Sequence, residues 1–256
     1  MHVGQALREL GELVFPPHCQ VCGGFSRLPL CESCRAALEA IREPLCECCG
    51  RPFDPHAAAR PSCADCAPGR RRLAGARSFG LHVGRLREAV NALKFRGRLR
   101  LARPLGGLLC EVVRAQPPLA LPLDRRPDGI VPVPLHPARR RERGFDQAEL
   151  LAATVSAATG IPLREGLLVR TRYTDPQVGL GPGERRKNVA GAFALRYPLP
   201  TREPRILLVD DVYTTGATLE ECARTLDPKR AGKVYAVTVT RAAPEWHPGA
   251  DLDAAV

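Results

Sequence analysis

The spacing of apolar residues divides the chain into three parts. Residues 3–14 carry apolar side chains at helical spacing and predict a short amphipathic helix, which Pro16-Pro17 would end. Residues 18–69 are rich in turn-forming residues and contain too little apolar material for an ordinary core. From residue 76 onward, short apolar runs alternate with segments of helical period. This alternation is typical of an α/β domain with a mainly parallel sheet.

The apolar runs and their period also place the individual elements of this last part. Strands are expected at 76–83, 130–134, 167–170, 205–209 and 234–239, and helices at 85–95, 101–114, 146–159 and 218–226. Asp146 is the expected N-cap of its helix. The stretch 171–190 is long, polar and glycine-bearing, and we expect a mobile loop there. We therefore expect two domains, an N-terminal module of residues 1–75 and an α/β domain of residues 76–256.

Composition and charge separate the same two parts. The chain of 256 residues is 45% hydrophobic and 25% charged, which excludes disorder as its main state. Nine of the 11 cysteines lie between Cys19 and Cys66. Residues 1–75 hold 9 arginines against 8 acidic residues, whereas residues 76–256 hold 29 Lys and Arg against 19 acidic residues. The cysteines and the basic excess therefore belong to different parts of the chain.

The N-terminal residues do not have the pattern of a secretory signal, because polar residues interrupt them. No apolar stretch approaches the ~20 residues of a membrane-spanning helix. The sequence thus predicts a cytoplasmic protein without a membrane span, in a compartment where thiols stay reduced.

Four Cys-x-x-Cys pairs predict two structural zinc sites of four thiolates each. The ligands are Cys19, Cys22, Cys31, Cys34, Cys46, Cys49, Cys63 and Cys66. Sequential pairing is the simplest arrangement, but an interleaved one uses the same residues. Cys48 in place of Cys46 is a further alternative. The alternative is a set of redox or structural cysteines, which a reducing compartment disfavours. Four thiolates leave no open position for catalysis, so zinc would supply folding energy only. Cys110 and Cys222 are expected in the core.

The run from Arg205 to Thr218 carries the strongest functional signal. An apolar strand leads to Asp210 and Asp211, and small hydroxylated residues around Gly216 then lead into a helix. The carboxyl end of a parallel strand is where α/β proteins bind ligands, and a helix N-terminus favours phosphate. The pattern therefore predicts a phosphate site beside two carboxylates that hold ribose hydroxyls directly or through Mg²⁺. The alternative is an Asp-Asp helix cap after a core strand.

This run resembles the PRPP-binding motif of type I phosphoribosyltransferases. The resemblance implies that fold for the α/β domain and that Asp210 and Asp211 face the ribose 2- and 3-hydroxyls. It also implies that the residues from Thr214 to Thr218 hold the 5-phosphate. The ligand-binding residues are then Asp210, Asp211, Tyr213, Thr214, Thr215, Gly216, Ala217 and Thr218.

Further segments resemble the ComF family of competence proteins, which is related to amidophosphoribosyltransferases. They include Lys94-Phe-Arg-Gly97, Pro132-Val-Pro-Leu-His136-Pro, Arg143-Gly-Phe-Asp-Gln147 and Arg185-x-x-Asn188. The cysteine module resembles the double zinc ribbon of that family. One departure is Asp146, where the family pattern leads us to expect asparagine. A carboxylate near a pyrophosphate loop must point away or pair with an arginine.

The resemblance implies an Mg²⁺-dependent transfer of ribosyl phosphate from PRPP to an unknown nitrogen acceptor. Arg143 and Arg185, with Arg140 as a weaker candidate, would stabilise the leaving pyrophosphate; a solvated basic face is the alternative. The family also implies a role in natural transformation, with single-stranded DNA and DNA-uptake proteins as partners. Two other functions stay open: a non-catalytic factor that handles single-stranded DNA or senses PRPP, and a zinc-ribbon adaptor. Aromatic residues, only 5% of the chain, are few for base stacking.

Overall fold

A four-stranded parallel sheet forms the centre of the protein. The computed structural model describes residues 16–54, 56, 61–66, 71–115, 121–174, 182–199, 205–226 and 232–248. The strands are β1 (Gly75–Leu81), β2 (Gly129–Pro132), β3 (Leu168–Arg170), β4 (Phe193–Leu195), β5 (Arg205–Tyr213) and β6 (Lys233–Arg241). The main sheet has the order β1-β6-β5-β2, and β3 and β4 form a separate antiparallel pair. The expected α/β class with a mainly parallel sheet is confirmed.

Helices connect these strands and cover the sheet. They are α1 (Glu32–Ala36), α2 (Gly84–Arg96), α3 (Ala102–Arg114), α4 (Pro137–Arg143), α5 (Gln147–Thr159), α6 (Pro182–Val189) and α7 (Ala217–Thr225). Short 3₁₀ turns occur at Ala64–Cys66 and Leu99–Leu101. Parallel neighbours need crossover connections, and helices supply them here.

Successive residues of β5 point into two different cores. Leu207 and Val209 pack with the apolar faces of α2, α3 and α5, whereas Ile206 and Leu208 pack with the residues of α7. A strand that is buried on both faces has a continuous apolar sequence. This explains why apolar and polar residues do not alternate along 206–209 in β5. The sheet therefore has helices on both faces, and the carboxyl ends of β2 and β5 meet at one edge.

The cysteine module, which is the described part of residues 1–75 before β1, contributes to the cores on both faces of the sheet beside the outer strand β1. Cys19 and Cys34 belong to the core on the α2 and α3 side of the sheet, while Cys46, Cys49, Cys63 and Cys66 belong to the core on the α7 side. Between them, the Ile41 amide donates to the Phe79 carbonyl at 2.8 Å, and the Ala76 amide donates to the Cys48 carbonyl at 2.8 Å. The module thus pairs with the otherwise free edge of β1.

Several elements differ from the sequence prediction. The strand expected at 205–209 continues through both aspartates to Tyr213 because it stays paired with β6. Within the loop expected at 171–190, residues 182–189 form the helix α6, residues 171–174 have no regular secondary structure, and residues 175–181 lie outside the described residues. The helix α4 and the strand β4 were not predicted. The helix expected at 3–14 also lies outside the described residues.

Candidate functional site

The eight predicted ligand cysteines form two separate tetrads. The ligand atoms of each tetrad lie within 4.8 Å of one another. The tetrads are Cys19, Cys22, Cys31, Cys34 and Cys46, Cys49, Cys63, Cys66. The pairing is therefore sequential, and the interleaved alternative and the exchange of Cys46 for Cys48 are wrong.

The surroundings of the sulfur atoms fit zinc thiolates. Backbone amides donate to them: Cys31 N to Cys19 Sγ at 3.5 Å, and Cys63 N to Cys46 Sγ at 3.4 Å. Such bonds stabilise a negatively charged sulfur. The second tetrad is wholly buried, whereas in the first Cys22 is exposed. Four thiolates around one ion form a closed structural zinc site.

The remaining cysteines do not contribute to these tetrads. Cys110 and Cys222 are buried in the two cores, as expected, and burial raises the pKa of both thiols. A raised pKa keeps a thiol protonated and unreactive. Cys48 is half-buried beside the second tetrad.

The turn between β5 and α7 presents backbone amides at the start of a helix. α7 begins at Ala217, directly after Gly216, so the first amides of the helix are free of intrahelical partners. Gly216 has φ = +79°, and a Cβ atom there would lie 2.3 Å from the Tyr213 hydroxyl. Only glycine allows this close approach. The backbone of the turn therefore packs directly on the Tyr213 side chain.

Asp210 and Asp211 lie at the end of β5 in different electrostatic environments. Burial and the neighbouring Asp211 carboxylate raise the pKa of Asp210 well above its usual value. Burial also disfavours the charged form of Asp211, but the Lys94 ammonium, 3.3 Å from Asp211 Oδ2, outweighs it and lowers the pKa of Asp211. Two adjacent carboxyl groups whose pKa values are separated can together bind one hydroxyl group or one metal ion.

Four cationic side chains surround these carboxylates in one open cavity. Its lining includes Lys94, Arg139, Arg143, Arg170, Asp210, Asp211, Thr214 and Thr218, together with Gln147 and the segment 133–135. Burial lowers the pKa of Arg143 and of Arg170, since desolvation disfavours their charge. The negative charge of an anionic ligand would stabilise the charged form of both arginines. With four cations against two carboxylates, the cavity suits a ligand with several negative charges.

The structure distributes the predicted site residues over two places. Asp210, Asp211, Arg143, Thr214 and Thr218 line the cavity described above. Tyr213, Thr215 and Ala217 line a second cavity behind the turn, which Thr214 also borders.

Two predicted arginines lie away from the cavity lining. Arg185 is buried in α6, and Arg140 pairs at 2.7 Å with Glu149. The cavity residues Arg139, Arg170 and Gln147 were missed as site residues, although Arg170 ends a predicted strand and Arg139 begins the basic run.

The Asp146 carboxylate binds backbone amides and does not line the cavity. Its carboxylate accepts hydrogen bonds from the amides of Ala148 at 2.9 Å and Leu135 at 2.8 Å. It thereby caps α5, as predicted, and fixes the segment 133–135 that lines the cavity. Burial raises the pKa of Asp146 to about 6, despite these bonds. The departure from asparagine is thus accommodated by a buried structural role.

The raised pKa of Asp146 predicts that the free energy of unfolding depends on pH. The substitution Asp146→Asn should remove this dependence. The unfolded chain loses this proton at a pH of about 4, before the native protein does. The free energy of unfolding therefore falls by about 2 to 3 kcal/mol as the pH rises from about 4 to above 6. Urea unfolding between pH 4 and pH 7 measures it, with the exposed Glu245→Gln as the matched control. An equal slope in both variants would contradict the assignment.

Sequence comparisons find relatives along most of the chain. The double zinc ribbon domain matches residues 10–67. Competence protein F of Haemophilus influenzae is 32% identical over 213 residues, covering 82% of this chain and 89% of that protein. DNA utilization protein YhgH of Salmonella typhi is 34% identical over 221 residues, covering 84% and 92% of the two chains. Competence protein ComFC of Bacillus subtilis is 29% identical over 222 residues, covering 83% and 84%.

Among solved structures, partial similarities are found. The glutamine PRPP amidotransferase from B. subtilis superposes with a TM-score of 0.33 at 20% identity, over 53% of this chain and 25% of that one. The adenine phosphoribosyltransferase from Leishmania donovani gives 0.30 at 17% identity, over 61% and 71%. Superpositions of this extent do not define an activity. Within the described part of the chain, each helix is too short or too polar to cross a bilayer.

Proposed function

This chain belongs to the family of competence protein F and DNA utilization protein YhgH, and from this premise we propose that it binds PRPP. In this proposal it transfers the ribosyl phosphate of PRPP to a nitrogen acceptor. The observation that carries the proposal is the single cavity in which four cations surround Asp210 and Asp211 beside the turn before α7. The motif between Ile206 and Thr218 supports a type I phosphoribosyltransferase architecture around this cavity. Residues 1–75 would then serve as a structural module and residues 76–256 would carry the ligand.

In this proposal the strand β5 and the turn bind the ribosyl phosphate. The carboxylates of Asp210 and Asp211 accept hydrogen bonds from the ribose 2- and 3-hydroxyls. The amides at the start of α7, together with Thr214 and Thr218, donate to the 5-phosphate. Gly216 supports this role because, without a side chain, it adopts a positive φ directly before the helix while the turn packs on Tyr213.

The cations of the cavity would stabilise the leaving group. In the transfer, the bond between the anomeric carbon and the pyrophosphate oxygen breaks, and the electron pair leaves with pyrophosphate. The acceptor nitrogen forms the new bond and releases its proton to solvent. Arg143, Arg139 and Lys94 line the cavity and would neutralise the developing charge. Arg185 would need α6 to move, since it does not line this cavity.

The carboxylates also fit a magnesium ion. Asp211 Oδ2 is buried, and its partner among the described residues is the Lys94 ammonium at 3.3 Å. Two adjacent carboxyl groups still offer further oxygen lone pairs of the kind that a hard cation prefers. Asp210 and Asp211 would hold the ion, directly or through the ribose hydroxyls, and the ion would add positive charge at the pyrophosphate.

Thermal unfolding tests the proposal. Millimolar PRPP with Mg²⁺ should raise the melting temperature, because a ligand that binds only the native state stabilises it. Ribose without phosphate groups is the control and should leave the temperature unchanged. An unchanged melting curve with PRPP would contradict both an enzyme and a PRPP sensor. Release of pyrophosphate with a panel of amines and nitrogen heterocycles would separate the enzyme from the sensor and identify the acceptor.

A second candidate function is the handling of single-stranded DNA. The relatives are named for competence and DNA utilization, and residues 76–256 carry an excess of positive charge. If backbone phosphates contact this surface, affinity for an oligonucleotide falls steeply with salt. A flat salt dependence would show that the basic excess serves another purpose. Other DNA-uptake proteins would be its partners, and the eight ligand thiols suit a reducing compartment such as the cytoplasm.

A further inference from the structure

Arg71 connects the second zinc ribbon, which contains the tetrad of Cys46, Cys49, Cys63 and Cys66, to the turn of residues 214–216 between β5 and α7, called the phosphate turn below. It follows the last zinc ligand, Cys66, by five residues. Its Nη1 donates to the Tyr213 hydroxyl at 2.6 Å and to Glu220 Oε1 at 3.1 Å. Its Nε donates to the backbone carbonyl of Asp65, which lies between two zinc ligands, at 3.2 Å. One guanidinium therefore contacts the ribbon and the α/β domain at once.

These contacts lie on both sides of the phosphate turn. Tyr213 is the last residue of β5, and Glu220 lies in the first turn of α7. The amide of Arg72 donates to the other oxygen of Glu220 at 2.7 Å, so both carboxylate oxygens are engaged. The Arg71 and Glu220 side chains are 13% and 20% exposed, so water screens this pair weakly.

The phosphate turn packs directly against the hydrogen bond between the Arg71 guanidinium and the Tyr213 hydroxyl. A Cβ atom on Gly216 would lie 2.3 Å from the Tyr213 hydroxyl and 3.1 Å from Arg71 Nη1. Arg241 also contacts the Tyr213 ring, with its guanidinium 4.9 Å from the ring centroid. Arg241 also donates to the carbonyl of Cys49, a ligand of the same ribbon, at 2.8 Å. The second ribbon thus determines where Tyr213 lies beneath the turn.

The first ribbon makes no comparable contact among the described residues. Its charged contact with the α/β domain is the ion pair of Arg35 with Glu111 on α3. Both side chains are about half exposed, at 49% and 50%. α3 lies on the opposite face of the sheet from α7. Arg35 is therefore a matched control for Arg71.

We propose that Arg71 is a positioning residue, which fixes the turn between β5 and α7 in the conformation that binds the 5-phosphate. This inference rests on the proposed function and deepens it. It makes the second zinc ribbon, and not the first, a support of the ligand site. Arg71 acts through Tyr213 and Glu220 and does not itself line the cavity that holds Asp210 and Asp211.

Binding of two partial ligands tests this role. In Arg71→Met, the dissociation constant for ribose 5-phosphate should rise about tenfold or more, while that for magnesium pyrophosphate stays unchanged. The reason is that only the 5-phosphate contacts the turn, whereas pyrophosphate contacts Lys94, Arg139 and Arg143. Arg35→Met should leave both constants unchanged. Arg71→Lys, which keeps a cation beside Tyr213, should restore part of the lost affinity.

Hydrogen exchange in the unliganded protein gives a measurement that does not depend on ligand. The amides of 214–218 should exchange faster in Arg71→Met than in the unaltered protein, and the amides of β2 should not. Equal binding of ribose 5-phosphate with equal exchange would overturn the role of Arg71. Parallel loss of both ligands and of zinc would also overturn it, because it would indicate a general structural role. If the unaltered protein bound no PRPP while the turn still loosened, the proposed function alone would fail.

Discussion

Changing Asp210 and Asp211 together to asparagine should abolish the rise in melting temperature that PRPP and Mg²⁺ give the unaltered protein. Two carboxylates are lost as acceptors for the ribose hydroxyls and as possible ligands of the ion. A hydrogen bond to a charged group contributes about 1.5 to 3 kcal/mol. Loss of two such contacts lowers affinity by roughly 10² or more. Calorimetric titration measures this loss where the melting curve no longer moves.

The single variants separate the two carboxylates. Asp211→Asn leaves the Lys94 ammonium, which is only 14% exposed, without its counter-charge, and we expect lower stability even without ligand. Asp210→Asn removes repulsion between adjacent carboxylates and should not lower the unliganded stability. Glu88→Gln, an exposed carboxylate on α2, is the control and should keep the full ligand response. A double variant with an undiminished response would contradict the placement of the ribose at the end of β5.

Loss of the second zinc site should destabilise the protein far more than loss of the first. Cys63→Ser removes a ligand from a tetrad that is wholly buried and shares a core with β5 and α7. Structural zinc binding supplies about 10 kcal/mol or more of folding free energy, which is comparable to the whole stability of a domain. We therefore expect Cys63→Ser to be largely unfolded. Cys22→Ser affects an exposed ligand of the first tetrad and should leave the sheet folded.

Metal analysis and thermal melts measure this difference together. The unaltered protein should contain two zinc ions per chain, and Cys22→Ser should contain one. Cys48→Ser is the control, because Cys48 belongs to neither tetrad, and it should keep both ions. Equal melting temperatures for Cys63→Ser and Cys22→Ser would contradict the larger structural role of the second site.

The sequence predicts those features that depend on local pattern. The helix expected at 85–95 is found as Gly84–Arg96, and Asp146 caps α5 as expected. The eight ligand cysteines are predictable because each Cys-x-x-Cys pair is a local turn, whereas the sequential grouping of the four pairs is seen only in the structure. In contrast, α4 has no buried residue, so it has no apolar period that could predict it. β4 has only three residues and is stabilised by pairing with β3 rather than by its own pattern.

The candidate site is predictable only where its residues are contiguous in sequence. The run that ends at Thr218 supplies the carboxylates and the turn, which one local pattern contains. Arg170 enters the cavity because a distant strand ends beside it. Arg71 contacts Tyr213 across 142 residues, and no local signal marks that pair. Tertiary placement also separates Arg185 from the cavity, although sequence pattern groups it with Arg143.

The position of the cysteine module beside β1 has a consequence for how the chain can be divided. An outer strand with free amides and carbonyls is a template for pairing with another molecule. In this protein the segments around Ile41 and Cys48 occupy those groups on β1. A chain shortened to begin at residue 76 would expose the strand and would be expected to associate edge to edge. The cysteine module thus covers this edge of the sheet, and we expect an α/β domain without the module to be less soluble.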